Sequence, residues 1–595
     1  MSSLHQNGRP VAVSPASATE DEPVPRFPHA NCIAVRAMAN VLGSSLGPRS
    51  HDKLVVNQLA SQTEPVNRGD APVDDFTVTG DGATLLEKLP VEHPIAPIVR
   101  RILGPERPGD TDIEGQDIPD GVTSAVVLTG ALLDEAENLI DKGLHPHDVR
   151  EGYAVAVETA LDVLSAQTRL LSSFDDQRDV ERAVARSAMT GNDIGDLAET
   201  WAGLAVDAVD DIGRPTEKSF VVRCLGDGEL TSSRLVRGAI LDRNTRANDE
   251  MPRRVEDATV LLLDGHTTGG LIDPKWEEDA VFDLQSPEQL KEVRELYASR
   301  RRALVDHYVS LGIDVVVTRL GINGEYQRLL VDAGILGIRS VSPLEMKQVA
   351  LATGASLVQN PTDVEASDLG HAGVVSIERT SPRRGRRKNR YMTVFDECDG
   401  ANSVTMAVHG VSGQLADQAA TEVRKAAAAV AASRGLGSAR PGVVPGAGAI
   451  ELQMAEAVRD RATQLDSRAQ LAVFAFADAL QEVVAALVRN AGFDALTVLA
   501  DLRAAQVGGE MDAGFVLPAG EVSSATDAGV FDPVAYKHRM LVSASEVANL
   551  ILRVDDAIDA TFTKEPLGPD DVIYDDRAEK HLDYLEENPG TRWDK

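Results

Sequence analysis

Residues 119–128 read PDGVTSAVVL, and the chain runs on as TGALL through Leu133. A glycine turn leads into apolar residues at helical spacing, so the stretch reads as a loop that opens a buried helix. Such a start presents backbone N–H groups, and Gly121 lets an anion approach them closely. Thr123 and Ser124 add hydroxyl donors, and the Asp120 carboxylate can hold a Mg2+ ion facing phosphates. Three more loops have the same character: SLGPRSHDK (45–53), TGDGATLL (79–86) and VVPGAGAIEL (443–452), each read as a glycine turn at a helix start. None is a Walker A loop, because GxxxxGK followed by Ser or Thr is absent from all four. One Gly-Asp turn is ordinarily a helix cap. Four such turns in one chain point towards a shared phosphate site.

Outward from these loops the chain reads helical, then α/β, then helical. NCIAVRAMANVL (31–42) carries helical apolar spacing, and LVVNQL (54–59) is a short strand. A helix is expected from Val122 to about Lys142, and helical stretches over roughly 146–212. ATVLLLDG (258–265), IDVVVTRLG (313–321) and SLVQN (356–360) read as buried strands with helical stretches between them. That alternation predicts a parallel α/β layer in the middle of the chain. AQLAVFAFADALQEVVAALVRNAGF (469–493) is apolar on most faces, so it reads as a buried core helix rather than a membrane span. The simplest architecture is an α/β domain inserted into a helical domain whose halves meet in space. Residues 1–28 read as a disordered lead-in, 104–119 as a polar surface insertion, and 566–595 as an acidic mobile tail.

The composition narrows the function. The 595 residues hold 93 acidic and 59 basic side chains, a net charge of −34, and 13 of the basic residues are Lys. A general nucleic-acid or anionic-membrane binder needs clustered positive charge, so both classes are disfavoured. An acidic, lysine-poor chain fits a cytosol of high salt, where salt screens its self-repulsion. Cys32, Cys224 and Cys398 lie far apart with no CxxC or CxxH spacing, which argues against a disulfide framework or structural zinc. The expectation is a cytoplasmic protein.

The ordered blocks resemble a group II chaperonin subunit, of the thermosome and tailless-complex-polypeptide family. NCIAVRAMANVLGSSLGPRSHDKLVV (31–56) is similar to that family's first helix and its LGPxGxDKxLV loop. GDGATLLEKLPVEHPIA (80–96) resembles NDGxTILxxxxVxHPxA, and DGVTSAVVLTGALL (120–133) resembles GDGTTxxVVLxxxLL. PGAGAIELQM (445–454), NAGFDALTVLADLRAA (490–505) and SASEVANLILRVDDAI (543–558) resemble the C-terminal blocks. The resemblance implies a multidomain α and α/β chain: a helical equatorial domain, an intermediate hinge domain, and an inserted α/β apical domain with a helical protrusion. The expected borders are 29–145 and 441–565 for the equatorial halves, 146–216 and 402–440 for the intermediate segments, and 217–401 for the apical domain, with the lid protrusion near 266–300. The resemblance implies ATP with Mg2+, like or related subunits in a double ring, and unfolded protein clients. The phosphate cradle would be Leu46, Gly47, Pro48, Gly82, Gly121, Thr123 and Ser124. Asp120 would be the Mg2+ ligand, Gly446, Ala447 and Gly448 would line the nucleoside, and Asp532 would bind the ribose.

Two departures concern catalysis. The family orients a nucleophilic water with two carboxylates, and Asp52 is one of them. The other falls at Lys425, and no Asp or Glu occurs between Glu422 and Glu451. A Lys or Ala cannot orient or deprotonate water as a carboxylate does. Glu422 would serve only if the helix slid by almost a turn. The family's phosphate-sensing Lys is Asn192 here, and no Lys occurs between Lys142 and Lys218. Arg182 or Arg186 would compensate with a different geometry. The implied function is a nucleotide-binding chaperonin subunit with hydrolysis weakened or lost; the alternative is a structural ring subunit or holdase. The run SPRRGRRKNR (381–390) reads as a hairpin tip, and Arg383 to Arg390 offer a docking site for an acidic partner.

Overall fold

The computed structural model describes residues 29–49, 51–57, 75–91, 93–103, 121–189, 197–216, 219–225, 232–241, 246–265, 270–271, 287–380, 390–398, 402–409, 414–437 and 439–554. Asp120, Asn192, the lead-in 1–28, the 104–119 insertion, the tail 566–595, most of the basic run 381–390 and residues 266–269 and 272–286 of the expected protrusion lie outside them.

In chain order the first elements are α1 (His29–Gly43), β1 (Lys53–Asn57), β2 (Asp75–Thr79), α2 (Gly82–Lys88), α3 (Ala96–Arg100), α4 (Val122–Asp141) and α5 (Pro146–Gln167). Then come α6 (Gln177–Ala188), α7 (Leu197–Ile212), β3 (Phe220–Cys224), β4 (Arg234–Val236), β5 (Ala239–Leu241) and β6 (Arg254–Leu263). The middle continues with α8 (Pro287–Ser310), β7 (Val315–Thr318), α9 (Gly324–Ala333), β8 (Leu336–Ile338), α10 (Pro343–Thr353), β9 (Leu357–Val358), β10 (Gly370–Thr380) and β11 (Arg390–Asp396). The chain returns through β12 (Val404–Val408), α11 (Gln414–Ser433), β13 (Val443–Pro445), α12 (Ala449–Ala462), α13 (Ala469–Asn490) and α14 (Ala495–Val507). It closes with β14 (Ala513–Val516), β15 (Glu521–Ser524), β16 (Phe531–Pro533) and α15 (Val534–Ile551).

Three main apolar cores organise these elements. The first gathers Cys32 to Leu164 with Val444 to Leu552, so both ends of the chain build it. Its central helix is α13, long and apolar enough to cross a membrane but buried among α4, α5, α12 and α14. Burial of Val473, Phe476, Leu480 and Val484 against those helices accounts for its apolar surface. Close approach is set by small residues: a Cβ on Gly152 of α5 would come within 2.5 Å of Ala472 Cβ. Tyr153, fully buried beside it, stacks edge-on to Phe476 at 5.6 Å and donates its hydroxyl to the Leu132 carbonyl at 2.6 Å. Helix α5 thus belongs to the first core. The packing of this core ends after Gln167 in the first half of the chain.

The second core lies in the middle of the chain, over a sheet of order β5-β11-β10-β6-β7-β8. Strands β6, β7 and β8 are parallel, and β9 pairs parallel to β6. The expectation of a parallel layer holds for that half. The hairpin β10–β11 adds an antiparallel half, with Thr380 opposite Arg390, and so brackets the basic run. The third core packs α6, α7 and α11 on a small sheet of order β3-β12-β4. Phe220 and Val222 of β3 sit in this core.

Candidate nucleotide site

A cavity of about 780 Å³ lies where the first and third cores meet. Its wall includes Leu46, Gly47, Pro48, Gly82, Gly121, Thr123, Ser124, Ala447, Gly448 and Asp532 from the sequence reading. Gly446 and Asp52 are absent from the lining, and Asp120 and Asn192 lie outside the described residues.

The loops are shaped by contacts that exclude side chains. The N-terminus of α4 begins at Gly121, whose φ of 76° is left-handed and which offers no side chain to cap the first turn. A Cβ on Gly82 would overlap the Thr123 hydroxyl, so the starts of α2 and α4 abut only because residue 82 is glycine. Segment 45–53 departs from its expected role: it follows the end of α1 and leads into β1 instead of opening a helix. It reaches the cavity because Asn490 of α13 donates to the Gly43 and Leu46 carbonyls at 2.7 and 2.8 Å.

At the other end, β13 pairs with β16 in a register that sets Val444 opposite Asp532. That brings Asp532 against the 446–448 turn, where a Cβ on Gly446 would lie 3.0 Å from Asp532 Oδ2. Asp532 Oδ2 lies 2.8 Å from Lys537 Nζ, which also holds Glu451 Oε1 at 2.6 Å. Burial alone would push the Lys537 ammonium down; the Asp532 and Glu451 charges reverse this and hold it above the ordinary lysine value. Glu451 Oε2 is buried in the cavity wall without a hydrogen-bond partner among the described residues. Such an acceptor fits a ligand that brings donors. Ala447 has a φ of 54°, a conformation that disfavours any residue with a Cβ. Ala447→Gly should therefore raise unfolding stability by about 0.5–1 kcal/mol in urea titrations.

Around Lys425 the cavity holds partners that sequence reasoning did not name as such. Lys425 of α11 lines the cavity, with Nζ 2.9 Å from Asp81 Oδ1 and 3.1 Å from Glu422 Oε1. All three side chains are nearly buried, at 12, 10 and 6% exposure. Glu422 also lines the cavity. One helical turn separates it from Lys425, and both fall on the same face. Asp81 caps α2, accepting from the Thr84 amide at 2.8 Å and hydroxyl at 2.6 Å. Its place between two cavity glycines was the available signal. Asp52 is exposed and accepts from Gln418 Nε2 of α11 at 2.7 Å. Arg186 lines the cavity and pairs with Glu199 at 2.9 Å, whereas Arg182 pairs with Asp179 at 3.6 Å and is absent from the lining.

Burial by itself would raise the Asp81 carboxyl, but Lys425 and the two Thr84 donors outweigh it and hold the group below its ordinary 3.8. A carboxyl lowered on folding stabilises the fold above its unfolded value, and that contribution fades as pH falls through the lowered folded value. The melting-temperature gap between wild type and Asp81→Asn should therefore stay level from about pH 8 to about pH 5. It should shrink only below about pH 4.

The resulting cavity can seat a phosphate chain between the α2 and α4 starts and a nucleoside at the 446–448 turn. Comparison with known proteins gives the family of the chain. The profile of the TCP-1/cpn60 chaperonin family matches residues 38–561. Thermosome subunit beta of Archaeoglobus fulgidus is 33% identical over 545 residues, covering 90% of this chain and 93% of its own. Thermosome subunit 3 of Haloferax volcanii is 34% identical over 538 residues, covering 89% and 95%. Thermosome subunit alpha of Archaeoglobus fulgidus is 29% identical over 547 residues, covering 91% and 93%. The profile spans nearly the whole of the described chain and the cavity lies within it, so this protein belongs to the TCP-1/cpn60 chaperonin family.

Proposed function

We propose that this chain is a ring-forming chaperonin subunit that binds Mg-ATP in the cavity and hydrolyses it slowly or not at all. The observation that carries the reading is the Lys425 ammonium at the phosphate end, where the family pattern has a carboxylate. The cradle of Gly47, Gly82, Gly121, Thr123 and Ser124 would hold the phosphates, with Asp120 as the Mg2+ ligand and Asp532 at the ribose. Bound Mg2+ would neutralise phosphate charge. The chain's own residues would position the nucleotide, but a water beside the terminal phosphate would meet an ammonium, which cannot accept its proton. The existence of alpha and beta subunits among the relatives supports a ring shared with related subunits, enclosing unfolded protein. The acidic composition supports a cytoplasm of high salt.

A second reading has its own observation: Glu422 reaches the cavity wall. It would support residual turnover, restrained by its pairing with Lys425. The test is steady-state ATP hydrolysis by the purified chain in high KCl with Mg2+, together with thermal stability in saturating ATP. Stabilisation without turnover supports the first reading. Turnover lost in both Asp52→Ala and Glu422→Gln supports the second. Neither stabilisation nor turnover would remove nucleotide from the account.

A further inference from the structure

Helix α11 packs into the third core, yet two of its side chains grip loops held by the first. Lys425 reaches Asp81, the cap of α2, and Gln418, two turns earlier, reaches Asp52 beyond the end of α1. Both targets are carboxylates beside the phosphate loops, and Asp52 Oδ1 lies so near Gly80 that a Cβ there would sit 2.8 Å away. Both contacts join protein to protein, so neither needs a nucleotide in order to form. The charge at position 425 decides the sign of the first one. A carboxylate there would face Asp81 and Glu422 as a third anion and would need a cation between them. Lysine turns that repulsion into attraction, and the near-buried setting weakens competition from water and salt.

We propose that Lys425 and Gln418 form a clasp that holds α11 down on the phosphate loops whether or not nucleotide is bound. This subunit would rest with α11 docked on the phosphate loops and with Asp52 already engaged by Gln418. The clasp is independent of the hydrolysis reading, since it concerns the resting position of α11 and not the chemistry at phosphate.

Hydrogen exchange on the full-length protein without nucleotide tests it, read at the amides of α2 and α11. Lys425→Met and Asp81→Asn should each speed exchange in both helices about tenfold or more. Lys425→Arg should stay near wild type, and the Lys425→Met/Asp81→Asn double variant should exchange no faster than either single one. Gln418→Ala should give a smaller increase and keeps the test open should Lys425→Met fail to fold. Wild-type rates in α2 and α11 for both Asp81→Asn and Gln418→Ala would overturn the clasp, as would simple additivity in the double variant. Mg-ATP added afterwards separates the two ideas. If it alters exchange in no variant, the nucleotide site fails while the clasp stands on the data taken without it.

Discussion

Replacing Lys425 with Asp should raise ATP turnover at least tenfold over the wild-type chain, measured at saturating Mg-ATP in high salt. A positioned carboxylate contributes about 10²–10⁴-fold to proton transfer from water. The gain should fall near the lower end, because Asn192 still stands where the family pattern has a phosphate-sensing Lys. Adding Asn192→Lys should raise turnover further, and Asp52→Ala should abolish the gain in either background. The substitution also removes the ion pair to Asp81 and sets carboxylates against one another, so the variant should depend more steeply on Mg2+. A wild-type chain that already turns over briskly, and loses activity on Lys425→Asp, would show that the ammonium assists hydrolysis and would sink the proposed function.

That Gly121, Thr123, Ser124 and Gly82 would share one cavity wall was legible from residue identity. They were named because a phosphate cradle needs small residues and hydroxyls at helix starts, and those are local properties. The substitution at Lys425 was legible for the same reason: a stretch without carboxylates needs no structure to be recognised. What the ammonium does was not legible. Its partner Asp81 lies 344 positions away in sequence, and only the packing of α11 against the phosphate loops brings them together. Glu422 was expected to serve only if the helix slid by almost a turn, and its presence in the cavity wall beside Lys425 was not foreseen. A helical face presents two residues one turn apart. Helix α5 packs with the first core because its apolar side, with Val149, Tyr153, Ala156 and Ala160, has partners on α12, α13 and α15; local spacing does not show which core such a side meets. The antiparallel half of the central sheet escaped for a related reason. Strand and helix alternate strictly only from β6 to β9, after which a hairpin follows that no periodicity ties to the sheet.

Gly82→Ala should abolish the thermal stabilisation by Mg-ATP and lower stability by about 1–3 kcal/mol, as overpacking of a close contact does. The added Cβ collides with the Thr123 hydroxyl and approaches the Thr123 amide nitrogen to 3.0 Å. The starts of α2 and α4 must then move apart. Both helices flank the phosphate cradle, and Asp81, the neighbour of Gly82, carries the Lys425 contact, so a small shift disturbs binding and clasp together. Helix propensity works the other way, because Ala is favoured over Gly by up to about 1 kcal/mol in a helix. A net loss would therefore be owed to the collision. The double variant Gly82→Ala/Thr123→Ala separates these effects. Removing the hydroxyl leaves the nearest contacts at about 3.0 Å, to backbone that needs to give by tenths of an ångström. Its stability should return to within about 1 kcal/mol of wild type. Its response to Mg-ATP should recover only in part, because the deleted Thr123 hydroxyl is one of the proposed phosphate donors. Full recovery in the double variant would mean that Thr123 shapes the cradle without contacting the ligand. No loss in Gly82→Ala would mean that the two helix starts are not the floor of the phosphate site.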